Sequence, residues 1–128
     1  MTFIEERIRQ IESTYAHLIR NLLVLHLTEE TFRLVLILND GTSLRVAERW
    51  RGEALVRYSY YWLDAENQLK IGWDNAPHHE QLENFPHHKH SGEQARREPS
   101  YEMCLEDVMA VLEKEIGSPA AERTAKAE

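Results

Sequence analysis

The pattern that most constrains the fold is a hairpin signal in the first half of the chain. Apolar residues alternate from Phe32 to Leu38, with the two-residue period of a strand that buries one face. Asn39-Asp40-Gly41 follows at once, and these residue types tolerate the positive φ that tight hairpin turns require. A second run, from Leu44 to Trp50, returns the chain. The sequence therefore predicts an antiparallel hairpin.

Further turns extend this hairpin into a meander. Arg51-Gly52-Glu53 precedes an aromatic-rich run from Leu55 to Asp64, and a third turn at residues 64–67 leads to a short alternating run that ends at Trp73. Upstream, the apolar run from Leu18 to Leu27 favours one more strand. Because short loops join neighbouring strands antiparallel, we expect an antiparallel meander of four to five strands.

Helical patterns flank the meander at both ends. Thr2 and Glu5 have the spacing of a capping box, and the apolar stripe that follows predicts a helix over roughly residues 3 to 14. Ser100 is a favourable N-cap residue, and the apolar stripe after it stops at Gly117. The sequence therefore predicts one helix before the sheet and one after it.

Together these patterns predict the α+β class, with an antiparallel β-meander, an N-terminal helix and a C-terminal helix in one domain over residues 1–117. We expect helix to cover one face of the sheet and the other face to stay partly open. Residues 118–128 lack large apolar side chains and are predicted to be a disordered tail.

Composition narrows the class of protein. The 128 residues contain no apolar run of membrane-spanning length, the N-terminus is acidic where a secretory signal is basic, and Cys104 is the one cysteine. We therefore expect a cytoplasmic protein without a membrane partner. The net charge of −7 is unlike that of a general nucleic-acid binder. This net charge is compatible with a local basic cleft, and it favours a partner of positive charge.

The segment from Trp73 to His90 carries five of the seven histidines without a clean hydrophobic period. Long irregular connections in compact domains are more often functional or disordered than passive. Imidazole acts as base and acid near neutral pH, so a histidine pair suits RNA cleavage through the ribose 2′-hydroxyl without metal or cofactor. A carboxylate can hold an imidazole in one tautomer. The predicted catalytic residues are His78, His79, His87, His88, Asp64 and Asp74.

Cations and aromatics near this segment are the predicted substrate contacts. A basic side chain is needed to stabilise the charge of a phosphorane. The aromatic row of the strand that ends at Asp64 is more typical of a core, but it also offers surfaces for a substrate. The predicted substrate-binding residues are Tyr60, Trp62, Lys89, Arg96 and Arg97.

The mechanism requires the two histidine clusters to meet. We expect Asp64 to lie near Asp74, at the ends of neighbouring strands. The histidine segment is then expected to leave the sheet at Asp74, to run beside the strand that ends at Asp64, and to bring the pairs 78–79 and 87–88 together at that end.

Two other interpretations of the histidines stay open. Histidine is the commonest metal ligand, but the chain has neither a His-Glu-x-x-His motif nor a cysteine pair. The segment is also compatible with a stiff structural lid, since proline fixes φ and histidine can bond to backbone carbonyls. In the metal interpretation the ligands would be His78, His79, His87, His88 and His90.

Three sequence blocks resemble one known family. They are Tyr58-x-Tyr60-x-Trp62-x-Asp64, Trp73-Asp-Asn-Ala-Pro-His-His79 and Phe85-Pro-His-His-x-His90. Together with the order of predicted elements over residues 1 to 116, they resemble the TumE family. Its members are toxin components of bacterial and archaeal type II toxin–antitoxin pairs.

The resemblance implies a small cytoplasmic toxin that is neutralised by a neighbouring antitoxin, often a DNA-binding one. We therefore expect a toxin that acts as a metal-independent endoribonuclease on RNA. A non-catalytic binding or regulatory module is the main alternative, and a metal-dependent hydrolase is a weaker one. A homodimer is plausible because a meander leaves edge strands to be covered, although charged residues within 43–57 offer another protection for an edge.

Overall fold

A computed structural model describes the backbone of residues 1–76, 88–91, 97–99 and 101–127, and the side chains of 1–76, 89–90 and 101–116. Within these residues the chain forms two helices and seven strands, joined in one antiparallel sheet whose spatial order follows the sequence. The elements are α1 (Phe3–Thr14), β1 (Ile19–Leu27), β2 (Thr31–Leu38), β3 (Ser43–Arg51), β4 (Ala54–Leu63), β5 (Leu69–Asp74), β6 (His88–Ser91), β7 (Arg97–Pro99) and α2 (Leu105–Ala127).

The α+β class and the antiparallel meander are confirmed, but the sheet has more strands than the four to five expected. The additional strands are β6 and β7, of four and three residues. They come from the histidine segment and from the polar stretch after it, where no alternation marks a strand. They form because the free edge of β5 offers backbone groups to pair, with Asp74 opposite His88 and His88 opposite Pro99.

The hydrophobic core lies between one face of the sheet and the two helices. The predicted aromatic row of β4 belongs to it: Tyr58, Tyr60 and Trp62 are all buried. The alternating residues of β2 lie in the same layer, which confirms that strand and its buried face. The helices contribute Ile4, Ile11, Leu105, Val108, Met109, Leu112 and Ile116.

A buried carboxylate fixes α1 to this core. Glu48 is 3% exposed and accepts hydrogen bonds from Arg7 Nε and Nη2 at 3.1 and 3.0 Å, Trp50 Nε1 at 2.8 Å and the Tyr60 hydroxyl at 2.6 Å. Burial opposes the charge on Arg7, but its hydrogen bonds to Glu48 and Glu106 outweigh that effect and raise its pKa above the usual value. Because both charges are paired, the core tolerates them.

The first helix has its predicted capping box, since Thr2 Oγ1 accepts from the Glu5 N–H and the Glu5 carboxylate accepts from the Thr2 N–H. The second helix differs from its prediction at both ends. It begins at Leu105 instead of directly after Ser100, because the Asp107 carboxylate accepts the Met103 N–H at 3.0 Å and so fixes the chain before the first turn.

The predicted end of this helix at Gly117 is also wrong, since α2 continues to Ala127. Glycine is only a weak helix breaker, at a cost of about 1 kcal/mol relative to alanine, so the helix can continue through it. The division into a domain over residues 1–117 and a tail over 118–128 stays a prediction. In the described part of the chain, neither helix has the length and apolar character that a membrane span requires.

Candidate functional site

The face of the sheet opposite the helices contains a cleft of about 790 Å³. Its floor is a row of residues that face each other across successive strands. The pairs run from Arg33 to Ala47, from Ala47 to Ser59 and from Ser59 to Asp74. His26 on β1 extends the row beside Arg33. Because the two central side chains are small, the larger groups at both ends form the walls.

One wall of the cleft is a buried hydrogen-bonded cluster around Asp74. Its Oδ2 lies 3.0 Å from His90 Nε2 and accepts a hydrogen bond from the Tyr61 hydroxyl at 3.3 Å, while its Oδ1 accepts the Ala76 N–H at 3.0 Å. Asp74 is 6% exposed and His90 2% exposed. The carboxylate therefore fixes an imidazole, a phenol and the start of the histidine segment relative to one another.

The close approach of Tyr61 to Gly72 explains the position of the phenol. Tyr61 and Gly72 face each other on β4 and β5, and a Cβ on Gly72 would lie 2.3 Å from Tyr61 Cδ1. Non-bonded carbon atoms do not approach each other this closely in proteins. The Tyr61 ring can thus lie against β5 because residue 72 has no side chain, and its hydroxyl reaches Asp74 as a result.

The residues on either side of Asp74 fix the end of β5. The buried side chain of Asn75 accepts the Tyr58 N–H at 2.9 Å and donates to the Val56 carbonyl at 3.0 Å, so it continues the pairing with β4 beyond the last strand residue. On the opposite face, Trp73 Nε1 donates to Glu102 Oε1 at 2.8 Å. The Trp-Asp-Asn block is therefore a structural unit that holds the cleft wall.

The rest of the cleft lining is basic, from β2 across to β4. Arg33, Arg49 and Arg57 all line it, and all are exposed. Arg49 and Arg57 face each other directly across β3 and β4. Arg33 on β2 faces Ala47 on β3, which is two residues before Arg49, so Arg33 and Arg49 are diagonal neighbours. Among the residues that the structure describes, none of the three guanidinium groups forms an ion pair. A protein with a net charge of −7 thus has a local cluster of positive charge here.

The structure separates the two predicted carboxylates. Asp64 lies in the turn between β4 and β5, where its Oδ1 accepts the N–H groups of Glu66 and Gln68, both at 2.9 Å. Asp74 faces Ser59, five residues before Asp64, which corresponds to about 17 Å along a strand. The expectation that Asp64 lies beside Asp74 is wrong. The strands β4 and β5 are antiparallel, so β4 finishes at the turn that joins them and β5 finishes at the opposite side of the sheet.

The predicted path of the histidine segment beside β4 is corrected as well, since the described part of it, β6, pairs with β5.

Three of the predicted substrate contacts lie on the helix side of the sheet. Tyr60 is 0% exposed, and Trp62 donates to Thr42 Oγ1 at 2.9 Å within the core. Lys89 Nζ lies 3.8 Å from Glu102 Oε1 on the same side. These placements do not support a substrate contact for any of the three.

The remaining predicted residues fall partly outside the described part of the chain. His78, His79, His87 and Arg96 lie outside it, and for His88 and Arg97 only the backbone is described. The His88 backbone pairs with Asp74, and that of Arg97 pairs with His90. Of the five predicted metal ligands, His90 alone has a described side chain, and the described residues contain no group of three metal-binding side chains. The metal interpretation stays a prediction.

Several residues of the cleft were not predicted to have a functional role. They share a signal in the sequence, since they occupy the alternate positions of β2, β3 and β4 that do not face the core. Polar or charged residues repeated at such positions mark the open face of a sheet. The residues are Arg33, Arg49, Arg57 and Tyr61.

The fold and the cleft define a small α+β protein in which an antiparallel meander, covered by helices on one face, has a basic and histidine-bearing cleft on the other. The chain belongs to the family described as Toxin TumE, whose family model matches residues 5–116. This membership supports a toxin role. No curated protein and no solved structure matches the chain.

Proposed function

We propose that this protein is a cytoplasmic toxin that cleaves RNA as a metal-independent endoribonuclease. The proposal rests on the positions at which the histidine segment, Trp73 to His90, leaves the sheet and returns to it. It leaves after Ala76, which lines the cleft, and it returns at His88, whose backbone pairs with Asp74. Ala76 and His88, the described residues on either side of 77–87, therefore lie at the same end of the arginine-lined cleft.

In the proposed reaction one histidine from 78–79 and one from 87–88 act as base and acid. The base removes the proton of a ribose 2′-hydroxyl, and the resulting oxygen attacks the adjacent phosphorus. As the bond from O2′ to phosphorus forms, the bond from phosphorus to O5′ breaks, and the acid protonates the leaving O5′. The products are a 2′,3′-cyclic phosphate and a 5′-hydroxyl. A guanidinium group of the cleft stabilises the charge of the phosphorane.

The test replaces the histidines in pairs, as His78→Ala/His79→Ala and His87→Ala/His88→Ala, under tightly repressed expression. We expect induction of the wild type to arrest growth and degrade RNA, and each double variant to lose both effects. His17→Ala is the matched control, because His17 is an exposed histidine that pairs with Glu113 away from the cleft. Full activity in every folded double variant overturns the proposal.

A second function, binding to a protein partner, is favoured by the edge strand β1. This strand has nine residues, and Leu23, Val24, Leu25 and Leu27 are exposed on it, the third by 62%. The opposite edge, β7, has three residues and ends in proline, so it is a poor template for pairing. The charged residues of 43–57 lie on the internal strands β3 and β4 and in the turn between them, so they cannot protect this edge.

We propose that the partner at β1 is a strand of the cognate antitoxin. The net charge of −7 favours a basic, DNA-binding partner over a second acidic copy of the chain. Added strands gain main-chain hydrogen bonds, and alternate side chains give specificity. The test is the variant Leu25→Lys with the antitoxin co-expressed: loss of binding supports the proposal, and binding as tight as wild type contradicts it. The mass of the protein alone in solution tests the homodimer.

A metal-dependent hydrolase predicts a different response to chelators. If RNA cleavage requires a divalent ion, a chelator abolishes it and added metal restores it. The proposed histidine mechanism predicts the same cleavage rate with and without the chelator.

A further inference from the structure

The three arginines of the cleft form an arrangement that folding alone does not favour. Arg49 and Arg57 face each other directly, where side chains lie about 5 Å apart at their Cβ atoms, and like charges at such positions destabilise a sheet. Arg33 occupies the diagonal position, at about 7 to 8 Å. No carboxylate among the described residues pairs with any of them. Within the part of the chain that the structure describes, the cluster therefore has an excess of positive charge.

We propose that Arg33, Arg49 and Arg57 form a phosphate-binding site that holds the backbone of single-stranded RNA across the sheet. Guanidinium groups bind phosphate oxygens bidentately, and a phosphate between them replaces their mutual repulsion with attraction. The ribonuclease activity proposed above identifies the polyanion as RNA, so this inference rests on it.

The shape of the cleft gives the RNA a direction. Arg33 and Asp74 lie on the same row, three strands apart, with Ala47 and Ser59 between them. The distance between these two residues across the sheet is therefore about 14 Å. The small floor leaves room for a nucleotide chain to cross the strands. Arg57 lies on β4, diagonal to Asp74, so a strand held by the arginines runs from β2 toward Asp74.

A single strand fits this cleft better than an acidic peptide. Phosphate groups recur at every nucleotide and so match a cluster of neighbouring cations. Binding by an acidic peptide is the competing outcome of the test.

The probe is a short 2′-O-methyl RNA, which cannot be cleaved through its 2′-oxygen. Its binding is measured by fluorescence anisotropy over a range of salt concentrations. Three phosphate contacts predict that log K falls with log salt with a slope of about −2. We expect Arg49→Gln/Arg57→Gln to reduce this slope to about −0.7 and to weaken binding on the order of 100-fold.

Arg9→Gln, an exposed arginine on α1, is the matched control, and it should leave both values close to wild type. The folded state is checked by denaturant unfolding, where the double variant should be at least as stable as wild type at low salt because the repulsion is gone. An unchanged slope in this double variant overturns the inference, and so does tight binding of a polyglutamate peptide with no binding of RNA.

The histidine double variants separate this inference from the proposed function. If they bind the probe normally but no form of the protein cleaves RNA, the phosphate site stands and the ribonuclease proposal fails. If wild type cleaves RNA and the arginine variants bind and cleave as well as wild type, the ribonuclease proposal stands and the phosphate site is refuted.

Discussion

Replacing Gly72 by alanine tests how the cleft wall is built. The new Cβ would lie 2.3 Å from Tyr61 Cδ1 and 2.6 Å from Tyr61 Cε1, so the ring must move. Overpacking of this kind costs about 1–3 kcal/mol. Alanine has an advantage of roughly 0.5–1 kcal/mol over glycine within a strand. We therefore expect Gly72→Ala to lower the free energy of unfolding by about 1–2 kcal/mol.

A double-mutant cycle isolates the cause of this loss. In a Tyr61→Ala background the ring is absent, so Gly72→Ala should be neutral or should stabilise the protein by up to about 1 kcal/mol. The coupling energy between the two sites is then about 2 kcal/mol. Urea unfolding of the wild type, both single variants and the double variant gives the four values required. If Gly72→Ala costs the same with and without Tyr61, the close approach does not explain the glycine.

The remaining predictions concern the buried polar groups of the core. Glu48→Gln should destabilise the protein by about 3 kcal/mol, since it removes the buried one of the two carboxylates that pair with Arg7, while Glu53→Gln in an exposed turn should change the unfolding midpoint little. Burial, and in Tyr60 also the adjacent Glu48, raise the pKa of Tyr58 and Tyr60 above the usual 10.0. Because the unfolded chain then loses these protons first, stability should be intact below about pH 10 and fall above it. Urea midpoints from pH 8 to 11 measure this loss, and Tyr60→Phe should reduce its slope.

The first five strands were predictable because each carries a local signal. Alternation in β2 and the Asn-Asp-Gly turn specify a hairpin without any knowledge of the rest of the chain. The strands β6 and β7 have no such signal, since they are short and depend on the edge of β5 for their pairing. Tertiary context, and not local propensity, determines them.

The site was predictable in part. Asp74 was assigned to it from its place beside the histidines, and the structure puts it at the wall of the cleft. The arginine cluster depends on register, which the turns and the irregularity between Arg49 and Trp50 fix and which cannot be derived from composition. The error over Asp64 has a different origin. Since β4 and β5 run in opposite directions, the last residue of each strand lies at an opposite end of the pair.

The most direct test of the central claim is the chemistry of the RNA ends that the purified protein produces in the presence of a chelator. The proposed mechanism predicts cleavage that leaves 2′,3′-cyclic phosphate and 5′-hydroxyl ends, and loss of that cleavage in the His78→Ala/His79→Ala and His87→Ala/His88→Ala variants but not in His17→Ala. Intact RNA from the folded wild type contradicts the account, as do 5′-phosphate ends or cleavage that the chelator abolishes.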